Sequence, residues 1–289
     1  MTTPTDPITV VIVGHNDRPD ASLAAHRAVE WLRAHGHRPA AQAVDAEALG
    51  LDVDRCSGDE VAQAGLVLSI GGDGTMLRSV TMLNGAAVPV LGINVGLLGY
   101  LAEVEPEHLL VSLERFFEGD YEIEKRMVID VAVTKTDGSI MNWRALNEAS
   151  IDKMRTGQTV RLAVDIDGAR FTTFQADGLL VATPTGSTAY SLSARGPVVS
   201  PTLEAMLLTP LAPHMLFDRS LVLGPSETIR IEVDGTRPAG LAIDGQEVTT
   251  LVVGESISCS ASDQPALFVR MQPQRFHQIL KTKFGLADR

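Results

Sequence analysis

A glycine turn between a buried strand and a helix constrains the fold of this chain more than any other feature. Residues 66–70 form an apolar run that predicts a buried strand, and residues 75–83 have a helical pattern. Glycines in the turn allow positive φ and let a ligand approach the backbone, and the first N–H groups of the helix attract phosphate. The sequence therefore predicts a phosphate-binding loop that contains Gly71, Gly72, Gly74 and Thr75.

Asp73 lies inside this turn, where a carboxylate repels an anion unless it has a chemical role. It can accept a proton from an attacking hydroxyl, or it can help to hold a divalent cation that bridges phosphates. Both roles predict phosphoryl transfer, with Asp73 as the candidate catalytic residue. The alternative is an ordinary turn, because Asp and Gly are common turn residues. Arg78 is a candidate for neutralising phosphate charge, and a solvated helix arginine is its alternative.

Length and composition limit the class of protein. A chain of 289 residues has room for two domains, and 45% hydrophobic residues are typical of a folded protein. No apolar run reaches the roughly 18 to 20 residues that span a bilayer, and a basic segment followed by an apolar one is missing near residue 1, so we expect a cytoplasmic protein without a membrane partner. The net charge of −12 argues against nucleic acid as a partner. Cys56 and Cys259 are far apart and have no His or Cys at ligand spacing, so neither a zinc site nor a disulfide framework is predicted.

The first 120 residues alternate between strand and helix patterns. Strands are predicted at residues 8–13, 66–70 and 88–93, and helices at 20–35, 59–64, 75–83 and 107–117. This alternation predicts a doubly wound α/β domain with a parallel sheet, whose ligand crevice lies at the carboxyl ends of the strands. A second glycine-rich loop, residues 92–99, follows a strand. We expect it to line the same crevice, with a mobile connection as the alternative.

The second half has β-branched segments that end at Asp-Gly pairs. Residues 128–136, 160–166, 228–233 and 241–243 each precede such a pair, which is a strong hairpin signal and predicts a mainly antiparallel β-sandwich-like domain. An apolar stretch at 201–211 is expected to be helical. Residues 276–284 also have helical spacing and are expected to pack back on the first domain, with a frayed tail as the alternative. The predicted division is 1–125, 126–270 and 271–289.

Two polar motifs in the second half are candidates for a ligand site. An amide beside a carboxylate, at Asn147 and Glu148, can bind the hydroxyls of a ribose, although an exposed turn is the alternative. Residues 177–193 run from an apolar strand into small hydroxylic residues and reach Tyr190 at the start of a helix. They form a polar, uncharged cradle, with a loop capped at Ser187 or Thr188 as the alternative.

These motifs together resemble those of bacterial NAD kinases. The resemblance rests on GGDGT at 71–75, GIN through GY at 92–100, LNE at 146–148, and DG through TPTGSTAY at 177–190, and it extends over residues 8–285. GGDGT alone is shared with diacylglycerol and sphingosine kinases and, more distantly, with phosphofructokinases. TPTGSTAY separates the NAD kinases from them.

The resemblance implies phosphorylation of the 2′-hydroxyl of the adenosine ribose of NAD, which gives NADP. It implies ATP or another phosphoryl donor, Mg²⁺ or another divalent cation, NAD and ATP as partners, and a homodimer or homotetramer. A dinucleotide would lie between an α/β domain and a β-sandwich-like domain, with Asp73 as the proton acceptor. The alternatives are a lipid kinase that shares the GGDG loop and a dinucleotide sensor without turnover.

The resemblance also implies a set of ligand contacts. Asp177 would lie near the nicotinamide, and Tyr100, where the family commonly has phenylalanine, would line the adenine side of the pocket. Arg195 is found where the family usually has glycine, so it either binds a phosphate or forces a different turn. The implied NAD-binding residues are Gly74, Asn147, Glu148, Asp177, Thr188, Ala189, Tyr190, Ser193, Ala212 and Gln246.

Overall fold

The computed structural model describes residues 7–15, 18–96, 99–272 and 276–286. The chain divides into two compact units. The first consists of Met1–Lys125 together with Ala266–Arg289, and the second consists of Arg126–Pro265. Strands and helices are numbered along the chain.

The first unit contains a seven-stranded sheet in the order β3-β2-β1-β4-β5-β19-β6. Every strand pair whose register is described in this sheet is parallel. The order reverses between β1 and β4, which makes this pair the switch point where doubly wound folds bind ligands. The strands are β1 (Thr9–Gly14), β2 (Arg38–Ala41), β3 (Asp54–Arg55), β4 (Leu66–Gly71), β5 (Val90–Asn94), β6 (Glu122–Arg126) and β19 (Ala266–Arg270).

Helices cover this sheet with small and apolar residues. The first helix begins with a proline at its N-terminal end and buries Ala21, Ala25, Ala28 and Leu32, which share one face at helical spacing. This unit therefore has the α/β architecture that the alternation of strands and helices predicted. Its helices are α1 (Pro19–Ala34), α2 (Ala43–Leu49), α3 (Gly58–Val61), α4 (Asp73–Leu83), α5 (Leu109–Glu118) and α7 (Phe276–Lys283).

The second unit contains two six-stranded sheets, in the orders β11-β10-β15-β18-β7-β8 and β14-β13-β12-β9-β16-β17. Both sheets contribute to one apolar core, so they pack face to face, and the prediction of an antiparallel β domain is confirmed. The strands are β7 (Ile129–Thr134), β8 (Ile140–Ala145), β9 (Glu148–Lys153), β10 (Val160–Ile166), β11 (Ala169–Ala176), β12 (Gly178–Ala182), β13 (Met206–Leu211), β14 (Leu221–Leu223), β15 (Ile229–Val233), β16 (Ala239–Ile243), β17 (Gln246–Leu251) and β18 (Ser256–Ala261).

Three of the four Asp-Gly pairs form the predicted hairpins. The pairs at 137–138, 167–168 and 244–245 join β7 to β8, β10 to β11 and β16 to β17, with positive φ at each glycine. The hairpin prediction at 234–235 is wrong, because β15 and β16 belong to different sheets. The helix prediction at 201–211 is also wrong, because Met206–Leu211 is a fully buried strand between β12 and β14. A short apolar run buried on both faces does not distinguish strand from helix.

The C-terminal segment returns to the first unit. Phe268 of β19 pairs with Val90 of β5 in parallel, and α7 confirms the helix predicted at 276–284. Lys283 of α7 places its Nζ 4.0 Å from the centre of the Tyr100 ring. Among the helices that the structure describes, none is both long and apolar enough to cross a membrane.

Candidate active site

The glycine loop connects β4 to α4 at the switch point of the parallel sheet. β4 ends at Gly71 and α4 begins at Asp73, with Gly72 as the residue before the helix. The N–H groups of Gly72, Asp73 and Gly74 make no hydrogen bond within the described ranges. A Cβ on Gly71 would collide with the side chain of Thr75, so glycine is required there. Free N–H groups at the start of a helix are donors for an anion.

The carboxylate of Asp73 is held by the backbone of a neighbouring loop. Tyr100 donates its N–H to Oδ2 at 2.9 Å, and Leu101 donates its N–H to Oδ1 at 2.9 Å. A Cβ on Gly99 would collide with this carboxylate, so the loop approaches it through a glycine. The N–H of Tyr100 also reaches Oδ1, at 3.1 Å, so Asp73 is fixed in orientation and one of its four lone pairs, on Oδ2, is left to accept from a substrate hydroxyl.

A cavity of about 380 Å³ opens beside the loop. Thr75 is only 6% exposed, and its hydroxyl makes no hydrogen bond with any described residue. Four of the five residues predicted to bind phosphate line this cavity, and Gly71 is not among its lining residues. The lining residues are Gly14, His15, Arg18, Gly72, Gly74, Thr75 and Arg78.

Arg78 is paired with a carboxylate that the sequence did not reveal as part of a site. Its Nη2 lies 2.7 Å from Oδ1 of Asp45 and its Nη1 lies 3.0 Å from Oδ2, which is a bidentate pair. Asp45 is fully buried and also accepts the N–H of Gly14 at 3.0 Å. Asp45 and Arg78 belong to different helices, and no local motif links them. Only the tertiary fold brings them together.

In the second unit, one carboxylate organises the Asn147-Glu148 motif. Asp244 accepts the N–H groups of Leu146 at 3.0 Å, Asn147 at 2.7 Å and Glu148 at 3.1 Å. Asp244 has a φ of +48° at the tip of the hairpin between β16 and β17. The sequence indicated this residue only as part of a hairpin turn, because its three partners are distant along the chain.

The TPTGST segment packs directly on the same motif. Thr183 is fully buried, donates its hydroxyl to the carbonyl of Leu146 at 2.5 Å and accepts the N–H of Gly186 at 3.1 Å. A Cβ on Gly186 would collide with the backbone of Asn147. The capping alternative is wrong, because α6 (Tyr190–Ser193) begins after Ala189 without a side-chain cap. Ser187 instead donates its hydroxyl to the carbonyl of Val199 and accepts that residue's N–H.

Glu148 is a buried acid with an unusual ionisation. Glu148 is only 5% exposed, and its Oε2 has no hydrogen-bond partner in the part of the chain that is described. Burial raises the pKa of Glu148 to about 7, and the nearby Asp244 charge adds to this rise. The N–H of Tyr190 acts in the opposite direction. Glu148 therefore changes charge near neutral pH.

A second cavity, of about 390 Å³, adjoins this region. Tyr190 donates its hydroxyl to Oδ1 of Asp152 at 3.2 Å, and burial together with Asp152 raises the pKa of Tyr190 to about 12. Lys153 pairs with Asp177 at 2.7 Å. The sequence missed Asp152 and Lys153, which follow the Asn147-Glu148 motif on β9. The lining residues are Asp152, Lys153, Asp177, Tyr190, Ser193, Ala194, Pro210, Leu211 and Ala212.

Six residues predicted to bind NAD do not line this cavity, and one of them, Gly74, lines the first cavity. Asn147 and Glu148 are close to its wall, because the backbone of Asn147 packs on Gly186 and Glu148 accepts the N–H of Tyr190, a lining residue. Thr188 donates its hydroxyl to the carbonyl of Thr185, and Ala189 precedes α6. Gln246 is exposed at the start of β17, two residues after Asp244.

Arg195 adopts the conformation that favours glycine. Its φ is +63°, in the left-handed region, and its side chain makes no hydrogen bond or ion pair with the described residues. The turn is therefore the one that a glycine would form, here with a strained arginine. Ala212, in the second cavity, has a φ of +44° and carries the same kind of strain.

A parallel α/β unit with a fixed aspartate in its phosphate-binding loop, together with a β-sandwich unit whose cavity has charged and apolar walls, is the combination expected of a kinase with a small-molecule acceptor. Comparison with known proteins gives the family. The ATP-NAD kinase N-terminal domain matches residues 54–121, and the ATP-NAD kinase C-terminal domain matches residues 146–271.

Curated relatives and solved structures agree with this match. NAD kinase from Thermoanaerobacter sp. is 34% identical over 88% of this chain and 91% of the relative, and NAD kinase from Nocardia farcinica is 37% identical over 96% and 91%. The crystal structure of yeast NADH kinase complexed with NADH has a TM-score of 0.91 at 26% identity, covering 99% of this chain and 90% of that one. The NAD kinase from Archaeoglobus fulgidus in complex with ATP has a TM-score of 0.72 at 26% identity, covering 96% and 97%.

The chain belongs to the NAD kinase family of enzymes, as the sequence resemblance predicted. These matches do not favour the lipid-kinase alternative, and a sensor without turnover does not fit a family of enzymes.

Proposed function

We propose that this enzyme transfers the terminal phosphate of ATP to the 2′-hydroxyl of the adenosine ribose of NAD, which yields NADP and ADP. One observation carries the proposal: two backbone N–H groups hold the carboxylate of Asp73 at the start of α4, in a loop where the N–H groups of residues 72–74 make no hydrogen bond with a described residue. The relatives crystallised with NADH and with ATP support the two ligand classes.

Asp73 accepts the proton in the proposed reaction. The ribose oxygen attacks the γ-phosphorus while the bond between this phosphorus and the β–γ bridging oxygen breaks. The hydroxyl proton passes to Asp73, and the electron pair of the broken bond leaves with ADP. A carboxylate is a weak base toward an alcohol, so the proton moves late and most of the acceleration comes from positioning and charge neutralisation.

The donor phosphates occupy the cavity beside the glycine loop in this proposal. Gly72 and Gly74 provide N–H donors and Thr75 provides a hydroxyl. Gly71 leaves room for the side chain of Thr75, with which a Cβ at position 71 would collide. Arg78 lines the same cavity, and its ion pair with Asp45 connects α4 to α2 beside the cavity. These features support the assignment of Gly71, Gly72, Gly74, Thr75 and Arg78 to phosphate binding.

The acceptor contacts are proposed mainly for the second unit. Asn147 and Glu148 bind the ribose and adenine, and Asp177 lies near the nicotinamide. Asp177, Tyr190, Ser193 and Ala212 share one cavity, which supports their assignment together. The remaining proposed contacts are Gly74, Thr188, Ala189 and Gln246, with Tyr100 on the adenine side.

A divalent cation such as Mg²⁺ fits the loop as a companion of the donor. Within the described ranges, no group of three or more His, Cys, Asp and Glu residues forms a metal site. Mg²⁺ commonly keeps several waters and binds through few protein groups plus substrate phosphates, so the donor phosphates would supply most of its ligands here and Asp73 stays the proton acceptor. When bound, the ion would neutralise charge on the transferring phosphate.

Product analysis tests the proposal. The purified protein is incubated with Mg²⁺, with ATP or polyphosphate as donor and with NAD or NADH as acceptor, and the product is identified as the 2′- or 3′-phosphate. We expect NADP from ATP and NAD. Phosphate at the 3′ position, or a product only from diacylglycerol, would overturn it.

The role of Asp73 is tested by substitution. Asp73→Asn should lower kcat by at least about 100-fold while NAD binding, measured by calorimetry, is retained. Asp20→Asn is the matched control, because Asp20 also lies in the first turn of a helix, α1. Full activity in Asp73→Asn would exclude the proposed base. Light scattering separately tests the proposed homodimer or homotetramer.

A further inference from the structure

The donor cavity contains two arginines, and their charges are not equally available. Arg78 forms a bidentate pair with Asp45, which is fully buried. If Arg78 turned to a phosphate, Asp45 would remain as an uncompensated buried carboxylate, which is costly. Most of the positive charge of Arg78 is therefore already balanced within the protein.

Arg18 has no such partner. Its Nη1 donates to the carbonyl of Val95 at 2.6 Å, and no carboxylate in the described part of the chain lies within ion-pair distance. A neutral carbonyl orients the guanidinium without neutralising it. In a chain with 36 acidic and 24 basic residues, an unpaired arginine in a cavity requires an explanation.

The backbone around Arg18 provides space for its guanidinium. Gly96 has a φ of +138°, and a Cβ at this position would collide with the guanidinium of Arg18. The segment from Val95 to Gly96 thus supplies both an acceptor that orients the side chain and a glycine that makes room for it. Arg18 also lies immediately before α1, whose N-terminal end is the positive end of the helix dipole.

Thr75 gives an independent indication of a ligand. It is more than nine-tenths buried, and its hydroxyl lines the cavity without a partner among the described residues. A hydroxyl that faces a cavity without a partner on the protein can bind a ligand there. None of the described residues that line the cavity is acidic, and Arg18 provides the charge that an anionic ligand requires.

We propose that Arg18 is the cation that binds the phosphates of the donor, together with the hydroxyl of Thr75 and the N–H groups of Gly72 and Gly74. This assignment rests on the proposed function and adds to it the source of the balancing charge. The ligand class is a linear polyphosphate, either as part of a nucleoside triphosphate or as the inorganic chain. Arg78, which the proposed function places among the phosphate-binding residues, then contributes little net charge and acts mainly by holding the cavity wall in place through its pair with Asp45.

Steady-state kinetics with ATP and with NAD as the varied substrate test this proposal. Arg18→Ala should raise KM for ATP by about 10- to 100-fold, the usual effect of losing a charge-assisted hydrogen bond, while KM for NAD stays unchanged. Arg18→Lys should be intermediate, because lysine keeps the charge and loses the planar geometry. Millimolar guanidinium chloride should partly restore Arg18→Ala, and the same concentration of sodium chloride should not.

Two controls make the result specific to Arg18. Arg27→Ala removes an arginine of α1, the helix that follows Arg18. Arg27 does not line the cavity, so this variant should leave both KM values unchanged. Equal melting temperatures show that each variant is folded. An unchanged KM for ATP in Arg18→Ala, or an equal rise of KM for NAD, would overturn the proposal.

Direct binding separates this proposal from the proposed function. Calorimetry with a non-hydrolysable ATP analogue and with inorganic tripolyphosphate, both without NAD, should show weaker binding of both ligands to Arg18→Ala. A loss for the analogue alone would indicate nucleotide as the donor, and a loss for both would indicate recognition of the phosphate chain. If the wild-type protein binds the analogue through Arg18 but forms no NADP, the proposed function fails and this assignment stands. If binding is the same in both proteins, the assignment fails whether or not NADP forms.

Discussion

At the scale of single residues, the two units fix their functional carboxylates in the same way. Asp73 accepts N–H groups from Tyr100 and Leu101, and Asp244 accepts N–H groups from residues 146–148. Backbone donors cannot rotate away as side chains can, so each carboxylate keeps one orientation. In Asp73 this prepares an acceptor for a proton, whereas in Asp244 it shapes the segment that presents Asn147 and Glu148.

Glu148 should make stability depend on pH. Its pKa is about 7 in the folded protein and 4.5 when unburied, so the fold favours the protonated form. The resulting stabilisation is complete below pH 4.5 and is lost as the pH rises through 7. Glu148→Gln cannot ionise. The free energy of unfolding of Glu148→Gln minus that of wild type should therefore increase by roughly 2 kcal/mol between about pH 5.5 and about pH 8.5.

Urea titrations at several pH values measure this difference. Glu118→Gln, which changes an exposed glutamate at the end of α5, is the control and should follow the wild type at every pH. If the gap between Glu148→Gln and wild type stayed constant with pH, the ionisation assigned to Glu148 would be wrong.

Arg195 should be a site where glycine stabilises the fold. A non-glycine residue at a φ of +63° is strained, and this cost exceeds the extra chain entropy that glycine gives the unfolded state. Arg195→Gly should raise the free energy of unfolding by about 0.5–1 kcal/mol in a urea titration. Arg195→Ala keeps the Cβ and should give no gain. A gain of equal size in both variants would show that the arginine side chain, and not its backbone, causes the strain.

At the scale of elements, local patterns predicted what local contacts build. Three Asp-Gly hairpins and the strand-loop-helix around Asp73 follow from neighbouring residues, and they were predicted from the sequence. β13 was not, because its strand character depends on pairing with β12 and β14 on both sides. The pair at 234–235 fails for a related reason, since whether a turn joins adjacent strands depends on the sheet that each strand enters.

The same distinction applies to the candidate site. The glycine loop and the TPTGSTAY segment could be recognised because their chemistry is contiguous in sequence. Asp45, Asp152 and Asp244 could not, because each acts on a partner that only the fold brings near. Arg18 was missed because a single arginine before a helix has no signature, and its position at the cavity comes from the pairing of β1 with β4.

At the scale of the whole molecule, the chain leaves the first unit after residue 125 and returns to it at residue 266. The returning strand β19 lies inside the sheet, between β5 and β6. Its Arg270 is buried and pairs with Glu124 at 2.8 Å and with Glu103 at 3.4 Å. Burial raises the pKa of Glu103, and Arg270 opposes that rise. The last segment is thus a structural part of the first unit.

Two truncations should therefore differ sharply. A chain that ends at residue 265 loses β19 from the middle of the sheet and removes Arg270 from the partly buried Glu103, so the first unit should be destabilised by about 3–5 kcal/mol or more. A chain that ends at residue 272 keeps β19 and loses α7. None of the residues of α7 is buried, so the melting temperature of this chain should be close to that of the full-length protein. Thermal unfolding followed by circular dichroism measures both. If the chain ending at residue 265 melted at the same temperature as full-length protein, β19 would be an appended strand and its ion pairs would contribute nothing to stability.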